Sequence, residues 1–192
     1  MTSRTHDLAA ITVLGVIVLA QPLRTVSLST ALLVVLANQI GGIVPDIDQP
    51  TAPFWRNLPI GGLFGKITGK LLGGHRFLSH SLLGIVLFGF LAKLLLSATH
   101  SLMPHADNSL ILWAFVIGML SHLVMDSFTR EGVPWLLPIP IKFGFPPIRK
   151  LRVVTGKKFE SLVIFPGLLV IDFVVCISNY HQILSILHRH IV

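Results

Sequence analysis

Charge is scarce in this chain. Asp, Glu, Lys and Arg make up 12% of its 192 residues, about half the ~25% usual in a soluble domain. Cysteine is nearly absent: Cys176 stands alone, which excludes an internal disulfide framework and leaves the redox compartment unread. No internal repeat and no low-complexity tract interrupts the sequence, so solenoids and disordered arrays are excluded as well. What is abundant is apolar: 53% of residues are hydrophobic and the mean hydropathy is +0.80. The apolar residues lie in blocks, the pattern of membrane spans and not of one large core.

Five blocks stand out: Leu8 to Leu23, Val26 to Pro45, Ser81 to Ala98, Leu110 to Met125 and Leu162 to Ser178. A full span needs about 20 residues to cross roughly 30 Å of hydrocarbon. The first two blocks are marginal singly and read as a tight helical hairpin turning between Pro22 and Ser27. The expectation is a single all-α, membrane-embedded domain over residues 1–192, a multi-pass bundle of four to five spans with interfacial loops. Leu58 to Gly73 mixes glycines with Lys66 and Lys70 and reads as an interfacial helix or loop. Trp135 to Lys150, rich in proline and aromatics, reads as a loop on the headgroups. Arg4, an apolar stretch and Val18-Leu19-Ala20 resemble a cleavable signal. His6 and Asp7 before that stretch belong to a wider pattern, so retention of the N-terminus is expected.

Orientation follows from the cations. With five spans, residues 1–7, 46–80 and 126–161 share one side, and they carry 12 of the 15 Lys and Arg residues. The remaining three are Arg24, Lys93 and Arg189. The positive-inside rule places the N-terminus and both long loops in the cytoplasm, and the C-terminus outside. Lys93 and Asp172 then fall at similar depths in spans three and five, which predicts an intramembrane pair. The basic balance is accounted for by topology, and no nucleic-acid-binding motif appears, so no nucleic-acid partner is expected.

That topology, drawn from Lys and Arg alone, gathers other residues at the same level. His6 precedes span one; Asp46 and Asp48 follow span two; His75 and His80 lead into span three. His122 and Asp126 end span four, and Glu160 precedes span five. His122 and Asp126, four apart on a helix, share one face. Ser79 is placed to cap span three. Imidazole with carboxylate suits a divalent metal, zinc first, then manganese or iron. The expected ligands are His6, Asp46, His75, His80, His122 and Asp126. Asp48 and Glu160 are expected to orient ligands or act as the catalytic base. His100, His105, His181, His188 and His190 fall at the opposite face and read as solvated.

The ordered motifs Thr5-His6, Pro45-Asp46-Ile47-Asp48, His75-Arg76, Ser79-His80-Ser81, Ser121-His122, Asp126, Thr129, Gly132-Val133 and Gly156 to Glu160 resemble the YdjM-like family. That family is described as LexA-regulated, membrane-bound, metal-dependent hydrolases. Two positions depart from it: Ser79 stands where threonine is more frequent, and Gln49 where a histidine is common. More remotely, the pattern is similar to zinc-dependent phospholipase C and its related single-strand nucleases. The resemblance implies hydrolysis of a phosphoester, and a site at headgroup level implies a lipid or lipid-linked one in the bacterial inner membrane. The alternative is a non-enzymatic membrane protein, either a metal-ion transporter or a structural or regulatory partner. A transporter should hold its ligands near the bilayer midplane, whereas these gather at one end.

Overall fold

The computed structural model describes residues 1–20, 26–139 and 141–184. It is all-α, with no strand among the described residues; two isolated bridges, Thr129 with Val153 and Val133 with Phe143, tie the long loop after the fourth apolar block. The main helices are α1 (Ser3–Leu19), α2 (Leu28–Ile43), α3 (Pro53–Arg56), α4 (Gly61–Leu71), α5 (Leu82–Ala98), α6 (Asn108–Ser127) and α7 (Phe165–Ser178). A 3₁₀ turn over Val44–Asp48 extends α2, another over Leu78–His80 precedes α5, and a wide turn over Glu160–Ile164 opens α7.

Among the described residues three helices, not four to five, are long and apolar enough to cross a bilayer: Leu28–Asp48, Asn108–Ser127 and Glu160–Ser178. The physical reason is length. Both α1 and α5 have 17 residues, or roughly 26 Å at 1.5 Å per residue, short of a ~30 Å hydrocarbon core. Helices α1 and α2 do pack together, while residues 22–25 of the turn expected between Pro22 and Ser27, Arg24 among them, lie outside the described residues, as do His188, Arg189 and His190.

Helix α6 is the hub, packing on α1, α2 and α5, while α7 leans on α1. The α2–α6 crossing is close because both helices offer glycine there. A Cβ on Gly41 would sit 2.1 Å from the Phe115 carbonyl oxygen, and one on Gly118 would sit 2.1 Å from that of Asn38. Small residues let helix backbones approach in this way in membranes. Buried Asn38 crosses the same interface, its amide donating to the Ala114 carbonyl at 3.2 Å.

The distribution of polarity is inverted relative to a water-soluble domain. The buried core pairs a short apolar cluster, Ile85, Phe115, Met119, Leu123 and Val133, with a larger set of buried polar side chains. The outer faces of α2, α5 and α7 are studded with exposed Leu, Val, Ile and Phe. Apolar outside and polar inside is what a lipid solvent selects. Within Leu58 to Gly73, helix α4 buries Gly61, Gly65 and Gly69 and exposes Leu63, Phe64, Ile67 and Leu71. The expected Lys93–Asp172 pair does not form. Helix α5 packs on α6 and α7 on α1, so the two residues stand on different flanks, and Lys93 is exposed.

Candidate metal centre

Four chain segments meet at one end of the bundle. The buried face of α1 delivers His6, and the end of α2 delivers Asp46 and Asp48 through its 3₁₀ turn. The turn before α5 delivers His80, and the last turns of α6 deliver His122 and Asp126. Ser81, not Ser79, caps α5, accepting from the Gly84 amide at 3.0 Å. Ser79 is thereby free to donate to Asp48 Oδ2 at 2.5 Å.

Two candidate metal-binding clusters result: His6 with His122 and Asp126, and Asp46 with His80 and His122. His6, His80, His122 and Asp126 are almost wholly buried, and Asp46 keeps 20% of its side chain exposed. Asp46 Oδ1 lies 3.8 Å from His80 Nε2 and 3.6 Å from His122 Nε2. Asp126 Oδ2 lies 3.7 Å from His80 Nε2 and 3.8 Å from His122 Nε2. Ligands bound tetrahedrally to zinc at 2.0–2.1 Å stand roughly 3.3–3.4 Å apart. These four edges need only a few tenths of an ångström of contraction.

The nitrogens are prepared for such a role. His122 Nδ1 donates to the Gly42 carbonyl at 2.7 Å, which fixes the tautomer and leaves Nε2 with a bare lone pair. His80 Nδ1 faces Ser79 Oγ at 3.1 Å and Asp48 Oδ2 at 3.3 Å, with the same consequence for its Nε2. The Nε2 atoms of His6, His80 and His122 are buried with no hydrogen-bond partner. Orphaned buried nitrogens cost about 1–3 kcal/mol each, and three converging on carboxylates fit a cation. Because His122 has one free nitrogen, it serves one ion at a time. His6 stacks flat on His122 with ring centres 3.7 Å apart, and its Nε2 lies 3.2 Å from Asp126 Oδ1. The Met1 amine also contacts Asp126 Oδ1.

The other expected residues stand further out. His75 lies outside both clusters, because its ring is on the far side of Asp48, bonded to Oδ1 at 2.8 Å and 35% exposed. Burial works against its charge, but the hydrogen bond and charge of Asp48 outweigh this and hold His75 above the usual histidine range. Asp48 accepts from His75, Ser79 and the Arg76 amide, a fully engaged carboxylate that orients its neighbours. Glu160 is engaged too: Oε1 accepts from the Thr2 amide and hydroxyl and the Thr5 hydroxyl, each at 2.7 Å, and Oε2 from the Gly156 amide at 2.8 Å. It clamps the start of α1 to the start of α7. His100, His105 and His181 are exposed, as expected of solvated residues.

Two residues escaped sequence reasoning. Arg76 is buried, holds a left-handed backbone (φ 58°), and pairs with Asp126 Oδ2 at 2.6 Å while donating to Thr129 at 2.8 Å. A non-glycine residue in that conformation stores strain that its surroundings must offset. Its place inside His75-Arg76 was the available signal, masked by its inclusion among topogenic cations. Asp7 lines a cavity of about 320 Å³ with His6, Asp46 and Phe54.

No solved structure matches this chain. Among curated proteins it is 30% identical over 132 residues to the uncharacterized protein YvsG of Bacillus subtilis, covering 69% of this chain and 71% of that one. It is 34% identical over 128 residues to the inner membrane protein YdjM of Escherichia coli, and equally to that of Shigella flexneri, covering 64% of this chain. The match spans 58% of the length of those two proteins. The profile of the YdjM inner membrane protein family matches residues 1–190. With nearly its whole length aligned to that profile, the chain belongs to the YdjM inner membrane protein family.

Proposed function

We propose that this protein is a metal-dependent hydrolase of the bacterial inner membrane, cleaving a phosphoester carried by a lipid or lipid-linked substrate at the cytoplasmic face. The observation that carries the reading is the set of buried, unpartnered imidazole nitrogens of His80 and His122 facing Asp46 and Asp126 at 3.6–3.8 Å. His80, His122, Asp46 and Asp126 would hold the ion, with His6 available to a second one through Asp126. Zinc suits this donor set best, with manganese or iron as alternatives. A bound divalent ion supplies a lowered water pKa and charge stabilisation at the phosphoryl oxygens.

The chain's own groups then divide the work. Gly42 and Asp48 orient the two ligand histidines, and Arg76 holds Asp126. Asp48 and Glu160 have their oxygens committed to chain donors, which speaks against either as the base. Asp7 lines the cavity beside His6 and Asp46, and its carboxylate makes no hydrogen bond or ion pair among the described residues. It is the carboxylate available to accept a proton from water. The gathering of ligands at helix ends, away from a midplane position, speaks against an ion transporter.

The test is metal content per folded protein in detergent, with hydrolysis of a phosphodiester lipid followed in parallel. Wild type should carry near-stoichiometric metal, and His80→Ala, His122→Ala and Asp126→Ala should lose it. Asp7→Asn should keep its metal and lose about 10²–10⁴-fold in rate. Folded His122→Ala and Asp126→Ala proteins with full wild-type metal would remove the reading's support.

A further inference from the structure

The 320 Å³ cavity has a larger neighbour. A cleft of about 620 Å³ is lined by residues from three distant segments, among them Arg4 of α1, Arg56 of α3 and Lys157 of the loop before α7. The two spaces share Ser3, Asp46, Ala52 and Pro53 as walls, so they meet at the exposed edge of the metal-ligand cluster. Their characters differ. The smaller is walled by Ile43, Phe54 and Leu58 beyond the ligand residues, and Phe54 and Leu58 are 44% and 45% exposed. In the larger, Arg4, Arg56 and Lys157 are exposed and make no ion pair or side-chain hydrogen bond among the described residues.

The carboxylates on the cleft wall do not neutralise these cations. Glu160 spends all its acceptors on Thr2, Thr5 and Gly156. Asp46 faces His80 and His122. Three unpaired cations converging on one concavity raise the local concentration of anions. The volumes of both lobes lie in the range of ligand sites, roughly 300–1,000 Å³.

We propose that these two spaces form one amphipath-binding cleft, in which Arg4, Arg56 and Lys157 hold an anionic phosphate-bearing headgroup while Ile43, Phe54 and Leu58 take the adjoining apolar chain. The occupant is a lipid with an anionic phosphate headgroup, its phosphate at the Asp46 junction. This deepens the phosphoester reading and rests on it for the role of the metal cluster. It adds a separate requirement: recognition is by both charge and chain. A free phosphate satisfies only the cationic lobe, and a zwitterionic lipid offers it no net charge.

The experiment measures binding, with metal content read on the same samples of full-length protein in neutral detergent. The probes are dihexanoyl phosphatidic acid, dihexanoyl phosphatidylcholine and inorganic phosphate. Wild type should bind phosphatidic acid at least about tenfold more tightly than either other probe, a difference of ~1.4 kcal/mol. The triple variant Arg4→Gln, Arg56→Gln, Lys157→Gln should weaken phosphatidic acid and phosphate about tenfold with metal content unchanged. These side chains are exposed, so folding is not at stake. Phe54→Ser with Leu58→Ser should bring phosphatidic acid down to the affinity of phosphate and leave phosphate unmoved. Unchanged affinity in the triple variant overturns the cationic lobe, whatever the metal content. Equal binding of phosphate and phosphatidic acid to wild type overturns the amphipath and leaves a free-anion site. Charge-dependent lipid binding by a protein that holds no metal keeps the cleft and defeats the hydrolase reading instead.

Discussion

Replacing Gly118 by alanine tests how the helix crossing prepares the metal site. The new Cβ would lie 2.1 Å from the Asn38 carbonyl oxygen and 2.8 Å from the Gly42 amide nitrogen, where ordinary contact begins at 3.4 Å. Both obstacles are backbone, so α2 and α6 must separate by about 1.3 Å, as close-packed interiors offer no slack. The Gly42 carbonyl moves with α2, and its 2.7 Å bond to His122 Nδ1 stretches toward about 4 Å, past any hydrogen bond. Overpacking costs about 1–3 kcal/mol, and the lost bond adds about 0.5–1.5 kcal/mol. Loss of the group that orients a histidine ligand lowers metal affinity about 10–100-fold. Gly89→Ala, on α5 facing α6, is the control: its Cβ would meet only Val116 Cγ2 at 3.6 Å, and the helix gains from alanine. Thermal unfolding in detergent and chelator competition should show Gly118→Ala weakened in both and Gly89→Ala in neither. Wild-type stability and metal affinity in Gly118→Ala would refute the coupling of the crossing to the site.

Glu160→Gln should lower the melting temperature and leave metal stoichiometry intact, because it weakens a clamp without touching a ligand; loss of metal with retained stability would reassign Glu160 to the cluster. Ser79→Ala removes the 2.5 Å bond to Asp48 and should weaken metal binding about 10–100-fold, as read by chelator competition. A reporter inserted in the loop carrying Arg149, Lys150 and Arg152 should read cytoplasmic, following the positive-inside rule; an external signal there would invert the topology.

The sequence displayed the level at which the candidate ligands meet more clearly than the number of spans. His6, Asp46, His80, His122 and Asp126 were readable because each sits where an apolar block ends, and block ends share a height whichever blocks fully cross. Span number failed because hydropathy measures apolar length and α1 and α5 have too little of it. His75 was placed with the ligands because, like His80, it leads into an apolar block at the shared level. Nothing in one sequence says which way a ring in an irregular loop turns. The Lys93–Asp172 pairing failed for a related reason: depth is legible from counting residues, but azimuth around the bundle depends on which helix packs on which. Arg76 and Asp7 were hidden by their company, one among topogenic cations and the other beside a histidine that drew the attention.

The clamp at Glu160 also sets an order of assembly. Its bond to Thr5 joins residues 155 apart in the chain. During synthesis at about 5–20 residues per second, the turn that carries His6 therefore waits roughly 8 to 31 s for its anchor. In that interval α1, α2, α5 and α6 are all available to pack, so the Asp46–His80–His122 cluster can form while the start of α1 still lacks its partner. The His6 side closes last, and the helix that follows Glu160 acts as its latch.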